Sequence, residues 1–237
     1  MQLDVQYGRT RVNFTLRYAR RKTLAIHVHP SGEVEVVAPE GTSVDAARAR
    51  VARRAAWIVQ QQRTFAQYPP PLSAREYVSG ETLRYLGRQY RLRIEEGAEH
   101  IALRHGRLVV TLPDTRDAQL RAALVERWRR ARADFVFREV YARALQLVEP
   151  IGIKHERGVE IRRLEKRWGS CSRSGRILLN GQLIAAPRVC IEYVIVHELC
   201  HLAEHHHGPA FYRLLTTVLP DWEARRDTLN RLVELPA

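Results

Sequence analysis

Apolar and polar side chains alternate along three stretches of the first 40 residues. The stretches are residues 12–16, 24–28 and 34–36, and a turn is predicted at residues 30–32. A period of two predicts strands that bury one face against a core. We therefore expect the first 40 residues to form an antiparallel meander.

The pattern then changes to helical spacing over residues 43–65, with Thr42 or Ser43 as the N-cap. Three consecutive prolines follow soon after this segment. Because proline ends a helix and extends the chain, residues 66–75 are predicted to be a linker.

A second group of strands is predicted after the linker. In this group residues 101–103 are expected to pair with residues 108–112 across a turn at His105 and Gly106. A long amphipathic helix is then predicted over residues 117–148.

The last third of the chain contains both the alternating pattern of strands and the spacing of helices. Strands are predicted at residues 159–164 and 177–179, on either side of a turn-rich segment at residues 167–175. An apolar helix is expected to begin near Pro187, because proline is favoured in the first turn of a helix. Strands and helices in this order predict an α+β protein.

We divide the chain into two regions on this basis. Residues 1–115 form a β-rich N-terminal region of antiparallel hairpins with one helix. Residues 116–237 are predicted to form a second region, with the long helix, the turn-rich hairpin, the apolar helix and the C-terminal helices. The alternative, one integrated domain, stays open at this point.

The apolar helix carries a His-Glu-x-x-His motif, HExxH. His197 and His201 are four residues apart, so both imidazoles project from one helix face and can bind one ion. Zn²⁺ accepts such nitrogens at about 2.0–2.1 Å and, in a hydrolase, takes one further protein ligand and a water. Glu198 is placed to remove a proton from that water, whose pKa the metal lowers to about 7.

The third ligand is expected just beyond the helix. His205 continues the row of histidines, but along a straight helix it would lie about 12 Å from the first one. We expect Gly208 to end the helix and Pro209 to begin the next. The bend between them leaves His206 and His207, of which we favour His207.

Composition narrows the class of protein. The hydrophobic fraction of 45% and the charged fraction of 27% are typical of a globular protein. The sequence contains no run of about 20 apolar residues and no signal-peptide core, so we expect no membrane association and a cytoplasmic location. Cys171, Cys190 and Cys200 lack the spacing of a disulfide scaffold or a cysteine zinc site, and we expect reduced thiols.

The chain is strongly basic. It has 39 Lys and Arg against 26 Asp and Glu, a formal net charge of +13. Such an excess attracts anionic partners, among them nucleic acid, nucleotides and acidic peptides. The arginines are spread along the whole chain, and no helix-turn-helix, zinc-finger or stacking-sheet motif accompanies them. Charge alone therefore does not indicate a nucleic-acid-binding protein.

Three motifs together resemble one family of hydrolases. They are a Trp-Gly-Ser-Cys hairpin, an Asn and Leu pair, and the HExxH helix with its C-terminal end: Arg167 to Ser172, Asn180 and Leu183, and His197 to Gly208 followed by Phe211. In this order they resemble the YgjP-like (DUF45) metal-dependent hydrolases. That family is related to the SprT-like and M48-type zincin metallopeptidases.

The resemblance implies a minimal zincin-like catalytic region. It implies Zn²⁺, or another divalent first-row metal, on His197, His201 and His207, with Glu198 as the general base. It also implies that the Trp-Gly-Ser-Cys hairpin lies beside the catalytic helix as an edge strand. An edge strand can bind an extended peptide by strand addition.

The expected substrate contacts follow from that edge strand and from the arginines that flank it. They are Arg167, Trp168, Ser170, Cys171 and Arg173. Two substrate classes stay open. The family is metallopeptidase-like by its motif, and relatives are also associated with hydrolysis of UTP to UMP and pyrophosphate, for which Arg167 and Arg173 would bind phosphates.

Overall fold

The computed structural model describes residues 1–29, 32–66, 75–164 and 167–233. Residues 30 and 31 of the predicted turn and most of the predicted linker lie outside this part. The described residues form five α-helices and eleven strands in an α+β arrangement, as predicted.

Internal contacts divide the chain into two compact units, with the boundary after Leu72. The sequence pattern had suggested a boundary after residue 115 instead. The second sheet and the long helix therefore belong to the same unit as the HExxH helix.

The first unit is a four-stranded sheet followed by a helix. Its elements are β1 (Gln2–Tyr7), β2 (Thr10–Ala19), β3 (Ala25–Val28), β4 (Val34–Pro39) and α1 (Val44–Ala66). Alternate residues of β2 are buried: Val12, Phe14 and Leu16. They belong to a core that also contains Ile58 of α1. The Ser43 hydroxyl caps α1 by accepting from the Ala46 amide at 3.2 Å.

The predicted antiparallel meander is wrong. The strand order is β1-β2-β4-β3, and the central pair, β2 and β4, runs parallel. The outer pairs, β1 with β2 and β3 with β4, are antiparallel hairpins as expected. The alternation of apolar and polar residues identifies the buried side of a strand. This alternation is the same whether the strands form a meander or the observed order, so it cannot distinguish the two.

The second unit begins with another four-stranded sheet and a helix. These elements are β5 (Thr82–Tyr85), β6 (Arg88–Glu96), β7 (His100–Arg104), β8 (Arg107–Leu112) and α2 (Ala118–Val148). The predicted hairpin across His105 and Gly106 is confirmed by the pairing of Leu103 with Leu108. The inner face of the sheet packs with Leu124 and Val125 of α2.

The two sheets share one topology. The order β5-β6-β8-β7, with β6 parallel to β8, repeats β1-β2-β4-β3 with β2 parallel to β4. A glycine before the last strand and a proline at its end are seven residues apart in both copies, at Gly32 and Pro39 and at Gly106 and Pro113. The chain thus contains a β₄α unit twice, here called the first and second repeats, which the sequence analysis missed.

The turn of the β5–β6 hairpin docks onto the catalytic part of the second unit. The amides of Leu86 and Gly87 donate to the carbonyls of Ile184 and Ala185, each at 2.9 Å. Gly87 has φ +81°, and a Cβ there would lie 2.7 Å from Cγ of Pro187. Glycine is therefore required at this turn by both its conformation and its close contact.

The catalytic part contains a small sheet and three helices. They are β9 (Val159–Arg162), β10 (Gly169–Cys171), β11 (Ile177–Asn180), α3 (Arg188–Cys200), α4 (Pro209–Val218) and α5 (Trp222–Leu232). The sheet order is β10-β11-β9, so β10 is an edge strand within the described sheet. Part of the segment predicted to be turn-rich is thus a short strand.

Helix α3 lies at the centre of the largest core. Its apolar residues from Cys190 onward are buried, including Ile191, Ile195 and Leu199, whereas Val189 in its first turn is exposed. The buried carboxylate of Glu192 pairs with Arg143 of α2 at 3.1 Å and with Arg225 of α5 at 2.6 Å. Because a buried charge needs partners, this pair of contacts fixes the position of α3 between α2 and α5.

Helix α3 ends at Cys200, not near Gly208 as we expected, and His201 is its C-cap residue. Helix α4 does begin at Pro209, as predicted. None of the described helices combines the length and the apolar character needed to cross a bilayer.

Candidate metal centre

Three imidazoles meet where α3 ends. One ring nitrogen from each of His197, His201 and His207 lies within 4.8 Å of the other two. The Nε2 atoms of His197 and His207 are 2.9 Å apart. Two nitrogens on one tetrahedral Zn²⁺ lie about 3.3 Å apart, so this spacing fits a shared ion.

The early end of α3 brings the third imidazole to the other two. His197 lies in the last turn of α3 and His201 directly follows it, after which the chain turns and returns before α4. His207 lies on the returning segment, whereas a continuous helix would have carried it away. His205 lines the same cleft without belonging to the cluster, and His206 is exposed outside it.

Neighbouring groups orient the rings. The Nδ1 atom of His201 is 3.0 Å from the carbonyl of Glu204, a contact that leaves Nε2 available. Such a contact fixes the ring of a metal-binding histidine. Phe211 is fully buried, and its ring centroid lies 4.6–4.9 Å from all three imidazole centroids. It thus forms an apolar wall against which the three rings pack.

The environment disfavours protonation of two of these histidines. Burial, together with the nearby His201 and His207, lowers the pKa of His197 to about 3. Burial and His201 also lower the pKa of His207. Since a metal binds the neutral imidazole, His197 and His207 do not have to lose a proton to bind one at neutral pH. The Nδ1 atom of His197 is buried and has no hydrogen-bond partner among the described residues.

Glu198 lies on the side of α3 that faces β10. Its carboxyl group is buried, which raises its pKa to about 8, while Arg167 and the backbone amide of Cys171 act in the opposite direction. A Cβ at Gly169 would lie 2.6 Å from Oε1 of Glu198 and 2.8 Å from its Cγ. Gly169 is therefore needed for space.

The sequence analysis did not assign a role to Gly169. The signal that could have identified it is a glycine in the middle of a short strand, which often marks a close approach of another group. The approaching group, the carboxylate of Glu198, is known only from the structure.

The cleft beside the imidazoles encloses about 420 Å³. Four of the five predicted substrate contacts line it: Arg167, Trp168, Ser170 and Cys171. Arg173 does not line it and is exposed in the turn between β10 and β11. Tyr193 and Val194 of α3, which the sequence analysis did not select, also line the cleft.

Asn180 holds the segment before β10 in place. Its fully buried side chain donates from Nδ2 to the carbonyl of Leu164 at 2.7 Å and to that of Arg167 at 3.1 Å. Its backbone amide donates to the carbonyl of Trp168 at 2.8 Å. Asn180 therefore positions the wall of the cleft that carries Arg167 and Trp168.

The sequence was also compared with known proteins. The sequence model of the YgjP-like family, described as a metallopeptidase domain, matches residues 22–232. This range runs from β3 to the end of α5 and includes the three imidazoles and Glu198. A search of curated proteins gave no match.

Proposed function

The chain belongs to the YgjP-like family of metallopeptidase domains, and on that premise we propose that it is a zinc-dependent hydrolase of peptides. Family membership makes it a hydrolase that uses a metal. The observation that supports the finer proposal is the convergence of three imidazoles beside a buried carboxylate and an edge strand.

The donor set fits Zn²⁺. Three neutral nitrogen ligands, His197, His201 and His207, leave room for a water, as in catalytic zinc sites. When bound, zinc polarises a carbonyl oxygen and lowers the pKa of a bound water to about 7. His207 is the exposed member of the three, so the site is open to solvent and substrate on that side.

Glu198 is the proposed general base. A carboxylate whose pKa lies near the working pH can both accept and return a proton during one turnover. The burial that raises the pKa of Glu198 to about 8 supports this role. A divalent cation in the adjacent site lowers that pKa, because opposite charge favours the ionised form. Glu198 then takes a proton from the attacking water.

Strand β10 is the proposed binding edge for an extended peptide. The amide of Ser172 donates to the carbonyl of Arg176, and that of Asn180 donates to the carbonyl of Trp168. Because these bonds alternate along an antiparallel pair, Gly169 and Cys171 direct their backbone groups away from β11. The Cys171 amide bonds to Glu198. The carbonyls of Gly169 and Cys171 and the amide of Gly169 are thus directed toward the side on which an extended peptide could add as a further strand.

Hydrolysis of UTP to UMP and pyrophosphate is the second candidate. It is favoured by Arg167, which lines the cleft and lowers the pKa of Glu198 through its charge. A guanidinium group can bind a phosphate with two parallel hydrogen bonds. Arg167 is the only Lys or Arg among the described residues that line this cleft, since Arg173 lies outside it. We therefore rank the peptide reaction first.

Both candidates are tested with wild type, Glu198→Gln and a matched control, Glu223→Gln, which changes an exposed glutamate of α5. Each protein is loaded with Zn²⁺ and incubated with a peptide library and, separately, with UTP. We expect peptide cleavage that Glu198→Gln lowers by about 10²–10⁴-fold while zinc is retained, and that Glu223→Gln leaves unchanged.

Other outcomes decide against the peptide proposal. Release of pyrophosphate with intact peptides would select the nucleotide reaction. Full peptide turnover by Glu198→Gln would remove the proposed base.

A further inference from the structure

The outer face of the sheet in the second repeat carries a row of arginines. Arg91 of β6 lies directly opposite Arg107 of β8, which lies opposite Arg104 of β7. All three residues are exposed. Adjacent strands are about 4.8 Å apart, so three guanidinium groups extend from neighbouring strands on one side of the sheet. We call these three residues the arginine row.

The arginine row has no acidic partner among the described residues. On the same face Arg93 pairs with Glu95 at 2.7 Å. No carboxylate in the described part of the chain forms an ion pair with Arg91, Arg104 or Arg107. Like charges directly opposite each other destabilise a sheet. The row therefore imposes a cost on folding that a bound anion would remove.

The first repeat shows that the fold does not require this charge. Counting back from Pro39 and Pro113 places Glu33 at the position of Arg107. Continuing the register of the first sheet places Asn13 and His29 on either side of Glu33. The neighbouring Glu35 pairs with Arg17 at 3.2 Å and with His29 at 3.9 Å. One position thus carries a negative charge in the first repeat and a positive charge in the second.

A shallow depression beside the row is rich in cationic side chains. It encloses about 400 Å³ and is lined by Arg104 and Arg107 of the row, and by Arg93, Glu95, His105 and Val109; Arg93 and Glu95 pair with each other. The planar guanidinium group matches phosphate with two parallel hydrogen bonds. Duplex DNA presents about one negative charge per 1.7 Å of its axis, whereas an extended acidic peptide presents about one per 3.3 Å.

The same face lacks the aromatic groups on which unpaired bases stack. Its outward positions on the four described strands carry no Phe, Tyr or Trp, so they offer no ring of these types for a single strand. The row presents only guanidinium donors, whose preferred partners on a duplex are its phosphate oxygens. We propose that the arginine row binds the phosphate backbone of duplex DNA without reading its sequence.

The test compares two triple variants that both lower the formal net charge from +13 to +10. One changes the row: Arg91→Gln, Arg104→Gln and Arg107→Gln. The other changes three exposed arginines of α1: Arg48→Gln, Arg50→Gln and Arg54→Gln. Binding to a labelled DNA duplex of about 20 base pairs is measured by fluorescence anisotropy over a series of salt concentrations, where the slope counts phosphate contacts.

We expect the row variant to lower the slope of log affinity against log salt by about 2.7, or 0.9 for each lost phosphate contact. The α1 variant should keep the slope of the wild type. The row variant should also melt no lower than wild type, because the repulsion between opposed guanidinium groups is removed. If it fails to fold, Arg107→Gln alone must lower the slope by about 0.9.

Three results would overturn the proposal. The first is a wild type that does not bind the duplex. The second is an equal loss of slope in both triple variants, which would mean that only net charge matters. The third is tighter binding of a single strand, an RNA duplex or a poly-glutamate peptide than of the DNA duplex.

Discussion

The two repeats share a topology and differ in what their turns and faces contact. In the second repeat the turn at Gly87 is hydrogen-bonded to the segment before α3, and a Cβ there would meet Pro187. At the corresponding turn of the first repeat, a Cβ on Gly8 would meet no heavy atom of the described residues within 4 Å. The turn of the second repeat is therefore sterically constrained by its own unit, whereas glycine at the corresponding turn of the first repeat is needed only for its backbone conformation.

The two repeats also differ in how the charged residues on the outer faces of their sheets are paired. On the outer face of the first sheet, Arg11 pairs with Asp4 and Arg17 pairs with Glu35. The second repeat leaves the arginine row without such partners. Duplicated folds can thus keep the buried pattern that determines topology while the outer positions acquire separate roles.

The largest effect concerns the metal, which we place entirely in the second unit. His201→Ala removes one of three ligands and should abolish stoichiometric zinc binding, which metal analysis of the purified protein will measure. The control is His29→Ala in the first repeat, which should keep about one equivalent of zinc. Undiminished zinc in His201→Ala would exclude the ligand set.

The next effect concerns the backbone that packs against Glu198. Gly169→Ala would place a methyl group 2.6 Å from Oε1 of Glu198, so the carboxylate must move. We expect turnover to fall by about 10²-fold with zinc retained, because small displacements of catalytic groups are costly. Gly208→Ala is the control, since its Cβ would meet no described heavy atom within 4 Å. Equal activities of both variants would contradict this role for Gly169.

A smaller effect compares one carboxylate from each unit. Glu192→Gln weakens a buried pair of contacts and should lower the free energy of unfolding by about 3 kcal/mol. Glu35→Gln weakens contacts that include the exposed Arg17 and should lower the free energy of unfolding by about 0.2–1 kcal/mol. Urea denaturation of both variants measures the difference. A similar cost for the two would mean that Glu192 does not fix α3.

The smallest effect compares the two turns directly. Gly87→Ala and Gly8→Ala both place alanine at positive φ, +81° and +56°, which costs about 1–2 kcal/mol. In Gly87→Ala alone, the close contact with Pro187 should lower the free energy of unfolding by about 1–3 kcal/mol more. Thermal or urea unfolding that gives equal costs would show that the docked turn is not under steric constraint.

Several features of the site could be predicted because they depend on neighbours along the chain. The spacing of His197 and His201 on one helix predicts that their imidazoles share a face. Pro209 predicts where α4 begins, and the structure confirms it. The choice of His207 over His206 depends on the path of the chain after the helix, which ends at Cys200 instead of near Gly208. That end is set by how the segment packs, including Phe211 beneath the rings.

The sequence by itself determined which positions are buried in each strand and which residues could bind a metal, because both depend on short-range periodicity and side-chain chemistry. Only the tertiary structure decided that β2 runs parallel to β4, that Gly169 faces Glu198, and that Arg167 but not Arg173 lines the cleft. These features depend on contacts between segments far apart in the chain. The alternation of a strand is the same whichever neighbour it pairs with, so it cannot select among them.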